Sequence, residues 1–208
     1  MRIDRRWFGA AATALLVTLA LSLSASTATA GTTDRMPEAR FWLIIDAARS
    51  DDRDSQVARL KAALASLSPE EIEGFEACFD QQMRRSYRWD LWGAAYVAMG
   101  GASDDGFEYF RLWLIARGRA DFEKVLADPD ALAEIAPADP EQLEFEDFAH
   151  IAPDAWAAKT GKPWDAMPHL SAFFVPLGYG PAKGTKFSEE PAALARSYPK
   201  LWRRFGTR

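Results

Sequence analysis

Residues 87–119 read YRWDLWGAAYVAMGGASDDGFEYFRLWLIARGR, and this stretch decides the fold. Its apolar and aromatic residues recur at the three- and four-residue spacing of a helix face. Asp90 is placed to cap a short helix, and the glycines at 100–101 are placed to end it. Either Ser103 or Asp104 can then cap a second helix, which stops at Gly118. The stretch therefore predicts two consecutive helices with buried aromatic faces.

Helical spacing continues on both sides of this stretch. Ser68 is followed by Pro69 and Glu71, a combination in which serine caps, proline suits the first turn and glutamate completes a capping box. Further helices are predicted over residues 41–48, 57–67, 72–83, 120–127, 141–150 and 153–159, with short ones beginning at 128–129, Ser188 and Pro199. Because no segment alternates with the period of a strand, the predicted fold is an all-α, single compact multi-helix domain spanning residues 31–208.

The C-terminal third contains a segment, Lys162 to Pro181, in which the helical pattern stops. Prolines and glycines interrupt it repeatedly, yet it also carries four aromatic residues, Trp164, Phe173, Phe174 and Tyr179. A flexible linker would not carry so many aromatic side chains. The segment is therefore predicted to be a long Pro/Gly/aromatic-rich ordered loop that lies across the helical body.

Residues 1–30 have the pattern of a secretory signal peptide. Three arginines stand near the start, an apolar run follows from Gly9 to Leu23, and Ala28-Thr29-Ala30 provides small residues for cleavage. The run is shorter than the roughly twenty residues that span a bilayer. Arg5-Arg6 resembles the twin-arginine export signal, although an ordinary export signal and an uncleaved membrane anchor are the alternatives. We expect cleavage after Ala30, a secreted or extracytoplasmic protein, and no membrane span once the signal is removed.

Composition excludes several classes of function. The chain has a net charge of −5, and the basic signal peptide makes the remainder more negative, which argues against nucleic acid as a partner. Cys78 is the only cysteine, so no internal disulfide can form, and its helical, phenylalanine-flanked position favours a buried apolar role. With His150 and His169 as the only histidines, no zinc-ligand spacing exists. We therefore predict no metal and no cofactor.

Charge is distributed unevenly along the chain. The segment from Asp121 to Asp154 holds eleven acidic residues and one base, whereas the segment from Lys183 to the end holds seven bases and two acids. The basic tail could dock near the acidic segment, or both could be solvated. Alternatively, the acidic surface could meet a cationic partner or a cell-wall polymer.

The candidate site combines carboxylates with aromatic side chains. Asp104, Asp105 and Glu108 share the first turns of one predicted helix, and Asp90 begins the preceding one. Neighbouring carboxylates raise one another's pKa and can serve as general acid and base. Aromatic rings that could stack on a flat ligand, and an arginine that could pair with an anion, complete the set: Trp89, Trp92, Tyr96, Tyr109 and Arg111. The alternative is structural, because acidic residues cap helix starts and aromatic residues at helical spacing usually form core.

The strings WDLWGAAY at 89–96 and SDDGFEYFR at 103–111 resemble the bacterial DUF4240 family of unknown function. Similar segments are the opening helix RFWLIIDAAR at 40–49, LSPEEI at 67–72, WAAKTG at 156–161 and YPKLW at 198–202. The resemblance implies a related fold over most of residues 31–208. It implies no catalytic residues, and the export signal departs from the family members expected in the cytoplasm.

Two hypotheses for function follow from the sequence. The first is a non-catalytic, extracytoplasmic binding or interaction module with a pocket lined by the two motifs. Its partner would be a protein or a cell-envelope ligand. The alternative is a hydrolase of a carbohydrate or cell-wall substrate that uses Asp90, Asp104, Asp105 and Glu108 as acid and base.

Overall fold

The computed structural model describes residues 36–174 and 179–206, all within one compact unit that spans Thr33–Arg208. The predicted signal peptide lies outside the described residues. The helices are α1 (Glu38–Ala48), α2 (Arg53–Ala65), α3 (Pro69–Ser86), α4 (Trp89–Met99), α5 (Asp104–Ala116), α6 (Arg119–Ala127), α7 (Leu132–Ile135), α8 (Ile151–Thr160), α9 (Pro191–Ser197) and α10 (Pro199–Phe205). Since the described residues contain five 3-10 turns besides these helices and no strand, the all-α prediction is confirmed.

The helix ends follow the predicted caps in most places. The Ser68 hydroxyl accepts a hydrogen bond from the Glu71 amide, and the Glu71 carboxylate accepts one from the Ser68 amide at 2.8 Å, which completes the capping box of α3. Gly100 ends α4 with a φ of 73°, a left-handed conformation that favours glycine. The prediction that Asp90 caps α4 is wrong, because Arg88 occupies the N-cap position and Asp90 lies inside the first turn.

In the second half of the chain, one predicted helix is absent and another begins later than predicted. Residues 141–150 form two 3-10 turns, because the Phe145 amide donates to the Tyr109 carbonyl at 3.1 Å rather than to its own segment. Helix α9 begins at Pro191 instead of Ser188, since a proline disfavours helical backbone in the residue before it. The Ser188 hydroxyl instead accepts a hydrogen bond from the Glu190 amide.

Helix α3 is the longest described helix and contacts several other helices. It packs against α1, α5 and α8, while α4 packs against α10. Their facing surfaces bury large side chains that are under 2% exposed, including Phe41, Trp42, Phe79, Phe107, Phe110 and Trp156. Among the described residues, no helix is both long enough and apolar enough to cross a bilayer.

The basic C-terminal tail docks on the acidic segment. The Lys200 ammonium lies 3.3 Å from the Glu134 carboxylate and 3.6 Å from that of Asp128. The buried Asp130 carboxylate accepts hydrogen bonds from the backbone amides of Lys200 and Leu201 at 2.9 Å. An acidic residue seventy positions upstream therefore satisfies the free amides that begin α10.

Replacing Asp130 by alanine should lower the free energy of unfolding by about 1–3 kcal/mol, because two amides at the start of α10 lose a buried acceptor. Denaturant titration of residues 31–208 measures the loss. Asp139→Ala is the matched control, since Asp139 caps an exposed 3-10 turn and should cost at most about 1 kcal/mol. Equal losses for both variants would show that docking α10 does not depend on Asp130.

Candidate functional site

The aromatic residues of α4 and α5 form a continuous stack. The Trp92 ring is parallel to Trp89 at 4.8 Å and to Phe107 at 4.7 Å, with interplanar angles of 10° and 13°. Its indole N–H donates to the Ala102 carbonyl at 3.0 Å. Trp92 is 8% exposed, so its ring serves packing between the two helices. Trp89 remains half-buried at the outer end of the stack.

The acidic residues that begin α5 share one surface. The Ser103 hydroxyl accepts from the Gly106 amide at 3.1 Å and is therefore the cap of α5. Asp104 and Asp105 are exposed, and their charges act on the half-buried Glu108. Burial raises the pKa of Glu108, and the two aspartates add to this rise. The structure thus brings these three acids together, while Asp90 is not among the charges that act on Glu108.

Because Ser103 is the cap, Ser103→Ala should lower the free energy of unfolding by about 0.5–2 kcal/mol. Asp104→Ala and Asp105→Ala should each change it by less than about 1 kcal/mol, through lost attraction to the helix dipole alone. Thermal unfolding of the three variants gives the comparison. A loss at Asp104 as large as that at Ser103 would contradict this assignment of the cap.

Arg111 extends from α5 into the core. Its side chain is 0% exposed, and its guanidinium lies 4.7 Å from the Tyr87 ring and 4.9 Å from the Tyr179 ring. One nitrogen donates to the Met83 carbonyl at 2.9 Å, and another to Glu108 at 3.4 Å. Its Nε has no partner among the described residues. Burial lowers the pKa of Arg111, so desolvation opposes the charge on both members of this ion pair.

The remaining predicted site residues lie apart from one another. Arg88 binds both carboxylate oxygens of Asp90. The Tyr96 hydroxyl donates to Glu189 at 3.3 Å. Burial, followed by the neighbouring Glu146 carboxylate, raises the pKa of Tyr109. These side chains therefore face different neighbours and do not converge on one ligand position.

A buried polar cluster that the sequence did not predict lies beside the Tyr179 ring, which also contacts the Arg111 guanidinium. The Glu76 carboxyl of α3 accepts from the Ser171 amide at 3.0 Å, and the Asp80 carboxylate accepts from the Ser171 hydroxyl at 3.1 Å and the Ala172 amide at 2.8 Å. The Tyr179 hydroxyl lies 3.1 Å from the Ser171 hydroxyl. Together with Arg111, these groups link α5 to α3 through the C-terminal loop.

The electrostatics of Glu76 set it apart from the other acids. It is 1% exposed, and burial raises its pKa to about 8, with the Asp80 charge adding to the rise and the Ser171 amide opposing it. A buried carboxyl that is neutral at pH 7 is typical of functional sites. The sequence spacing indicates that Glu76 is buried. It follows Ile72 by four residues and precedes Phe79 by three, which places it next to the buried face of α3.

A cleft runs along the outer face of α3 beside this cluster. Its lining includes the small residues Gly74 and Ala77 of α3, residues at the start of α1, and two residues of the loop. The lining residues are Met36, Pro37, Arg40, Glu70, Glu71, Glu73, Gly74, Ala77, Asp80, Gln81, Arg84, His169 and Leu170. His169 has a φ of 59°, the only positive value among the described non-glycine residues, so the lining includes strained backbone.

Most charged groups of the cleft already have protein partners. Arg40 pairs with Glu71 at 2.7 Å, Arg84 pairs with Asp80 at 2.7 Å, and the Trp156 indole donates to Glu73 at 2.8 Å. Within residues 36–174 and 179–206, no three His, Cys, Asp or Glu side chains are placed to bind one metal ion. The cleft is thus lined by fixed charges of both signs together with a few small and apolar residues.

Comparison with known proteins identifies a family without an assigned activity. The family model described as "Protein of unknown function (DUF4240)" matches residues 36–158, which contain α1 to α7 and most of α8. No curated protein and no solved structure matches the chain. The match covers more than half of the sequence, and the chain therefore belongs to the DUF4240 family.

Proposed function

We propose that this protein is an extracytoplasmic binding module that holds its ligand in the cleft along α3. The cleft itself carries this proposal, because its lining combines small and apolar residues with charged groups. The proposal moves the ligand position away from the two aromatic motifs. Trp92 is committed to the stack between α4 and α5, and Arg111 is enclosed by aromatic rings.

Binding is favoured over catalysis in this cleft because its carboxylates are held by protein donors. Asp80 receives hydrogen bonds from three residues, namely Ser171, Ala172 and Arg84. Glu71 is held by Ser68 and by Arg40. A general base needs a free lone pair facing the substrate, whereas fixed charges are suited to recognition and specificity.

The cleft dimensions and charges fit a peptide segment that carries charges of both signs. The lining residues of α3 run from Glu70 to Arg84, a rise of about 21 Å at about 1.5 Å per residue. An extended peptide of about six residues covers that length. Arg40 stands at one end, and Asp80 and Arg84 stand at the other, so both ends offer charge. Such a peptide could belong to a protein or to a cell-envelope polymer.

A substitution that fills the cleft tests whether the ligand binds there. Ala77→Arg adds a long side chain to the lining of the cleft, while Ala120→Arg adds the same side chain to the exposed start of α6. Immobilised residues 31–208 of each form would be exposed to cell-envelope extract and to a library of charged hexapeptides. We expect the wild type and Ala120→Arg to retain the same peptides, and Ala77→Arg to lose at least tenfold in affinity. Equal retention by both variants would refute the cleft as the binding site.

Export is part of the proposal and has its own test. The supporting pattern lies in residues 1–30, outside the described part of the chain. The intact mass of the protein recovered from the extracytoplasmic fraction should correspond to a chain that begins at Gly31. Replacing both Arg5 and Arg6 by lysine should block export if the twin-arginine route is used. Recovery of the full-length chain in the cytoplasm alone would reject export.

A second candidate function is hydrolysis of a carbohydrate or cell-wall substrate at the acidic start of α5. The observation in its favour is the raised pKa of the half-buried Glu108 beside Asp104 and Asp105, a property expected of a general acid. A broad glycoside panel tests it with Glu108→Gln as the inactive variant and Glu70→Gln as the control. Turnover that survives in Glu108→Gln would remove this candidate.

A further inference from the structure

After α8, the chain crosses α3 as an irregular segment that we call the strap, residues 167–174. Two carboxylates one helical turn apart, those of Glu76 and Asp80, hold its centre. All three hydrogen bonds involved start from adjacent residues, with the Ser171 amide bound to Glu76 and the Ser171 hydroxyl and Ala172 amide bound to Asp80. The hydrogen bonds from the strap to these two carboxylates thus all come from one dipeptide, while Met167, Phe173 and Phe174 of the strap pack against the hydrophobic core.

The strap also forms one wall of the cleft. His169 and Leu170 line the cleft and directly precede Ser171. The left-handed backbone of His169 is costly for a residue with a side chain, so contacts further along the strap must hold it in place. The attachment at Ser171 therefore positions the cleft wall.

We infer that Glu76 is a proton-dependent latch, which keeps the strap on α3 while its carboxyl is neutral and releases the strap when the carboxyl ionises. The strap and Glu76 carry this inference by themselves. Only its consequence for the ligand, that binding weakens when the cleft wall leaves, rests on the proposed function.

The surroundings of Glu76 do not compensate a negative charge. Asp80, on the same helix, adds a repulsive charge. In the described part of the chain, no cation is among the groups that act on the Glu76 charge. Arg84 is paired to Asp80, and Arg111 donates to Met83 and Glu108. Glu73 is also acidic and is bound by Trp156.

The loop contributes the Ser171 amide, which donates a hydrogen bond to Glu76. Among the described groups that act on Glu76, this amide is the one that stabilises the charged carboxylate. Tyr179 is held neutral because burial raises the pKa of its hydroxyl, and His169 is exposed on the cleft wall. Opening the strap would hydrate an ionised Glu76. Local opening therefore relieves the cost of burying that charge.

Because ionisation of Glu76 is coupled to opening of the strap, opening depends on pH over a defined range. Burial holds the Glu76 pKa at about 8 in the closed form, whereas in the opened form it returns towards the usual value of about 4.3. Between these values the open form binds fewer protons than the closed form, so opening becomes more favourable as pH rises. Above about pH 8 both forms are ionised and the effect levels off.

Hydrogen exchange of the Ser171 and Ala172 amides between pH 5 and 9 tests the latch. After correction for the intrinsic exchange rate, protection in the wild type should fall up to tenfold per pH unit to about pH 8 and then level off. Glu76→Gln keeps an acceptor for the Ser171 amide and should remove this slope. The Lys183 amide, which donates to the Tyr87 carbonyl at 3.0 Å, is the internal control in both proteins.

Two results would overturn the latch. One is protection of Ser171 and Ala172 in the wild type that does not change with pH, a result that stands even if Glu76→Gln fails to fold. The other is the same slope in Glu76→Gln as in the wild type. Ser171→Ala is a second variant, which removes the hydrogen bonds of the hydroxyl but keeps the backbone amide. It should lower exchange protection at every pH, while protection still falls with rising pH as in the wild type. Since no ligand is used, these results are independent of the peptide-binding test.

Discussion

Arg111→Ala should destabilise the protein by about 3–5 kcal/mol. The substitution leaves a cavity between the Tyr87, Phe107 and Tyr179 rings, all within 5.3 Å of the guanidinium carbon. It also removes the donor to the buried Met83 carbonyl. Urea titration of residues 31–208 at pH 7 measures the loss as a shift in the midpoint at constant slope.

Arg111→Met separates the volume of this side chain from its charge. Methionine fills much of the same space without a charge, and it leaves no buried Nε without a partner. Replacing a poorly paired buried charge by an apolar side chain is often neutral or stabilising, so we expect a change of less than about 1.5 kcal/mol. If Arg111→Met were as damaging as Arg111→Ala, the hydrogen bond to Met83 and the ring contacts, rather than the filled volume, would hold this region together.

Glu76→Gln should remove a pH dependence of global stability. In the wild type, the folded state keeps a proton on Glu76 up to about pH 8, while the unfolded state releases it near pH 4.3. Stability is therefore fully present below the unfolded pKa and falls as pH rises to about 8. The difference between the folded and unfolded pKa values of Glu76 corresponds to a loss of stability of about 5 kcal/mol at most. Release of the strap limits the loss to the free energy of opening it.

Denaturant titrations at pH 5, 6.5 and 8 give the measurement, and the difference between wild type and Glu76→Gln isolates this group from other titrating residues. The stability of the variant relative to the wild type should increase from pH 5 to pH 8. Glu70→Gln is the matched control, because Glu70 lies exposed at the start of the same helix and should retain the wild-type slope. A variant that follows the wild type at all three pH values would contradict a neutral, buried Glu76.

Local sequence signals predicted most of the helices because their causes are local. The capping box at Ser68 and the left-handed glycine at 100 depend on neighbours within four residues. The helix predicted at 141–150 failed because the Phe145 amide bonds to Tyr109, thirty-six residues away. Contacts of that range leave no trace in helical periodicity.

The candidate site was predicted less well than the fold, for the same reason. The acids beginning α5 were found as a group because they share one helix turn. The attachment of Ser171 to Glu76 spans ninety-five residues, and the cleft wall comes from a loop whose composition indicated order but not its contacts. Sequence spacing predicts Trp92 as a possible ligand platform because spacing alone does not show which faces of its ring another ring covers.

Several helices of this protein are held by hydrogen bonds between residues far apart in the chain. The Tyr198 hydroxyl donates to the Asp90 carbonyl across 108 residues, Lys200 is tied to Asp130 across 70, and Ser171 is tied to Glu76 across 95. Helical proteins usually fold fast because their contacts are local. Here each closure must first overcome the entropy of a long loop. Refolding should accordingly be slower than for a simple helix bundle, with helical circular dichroism recovering before the docking of α10.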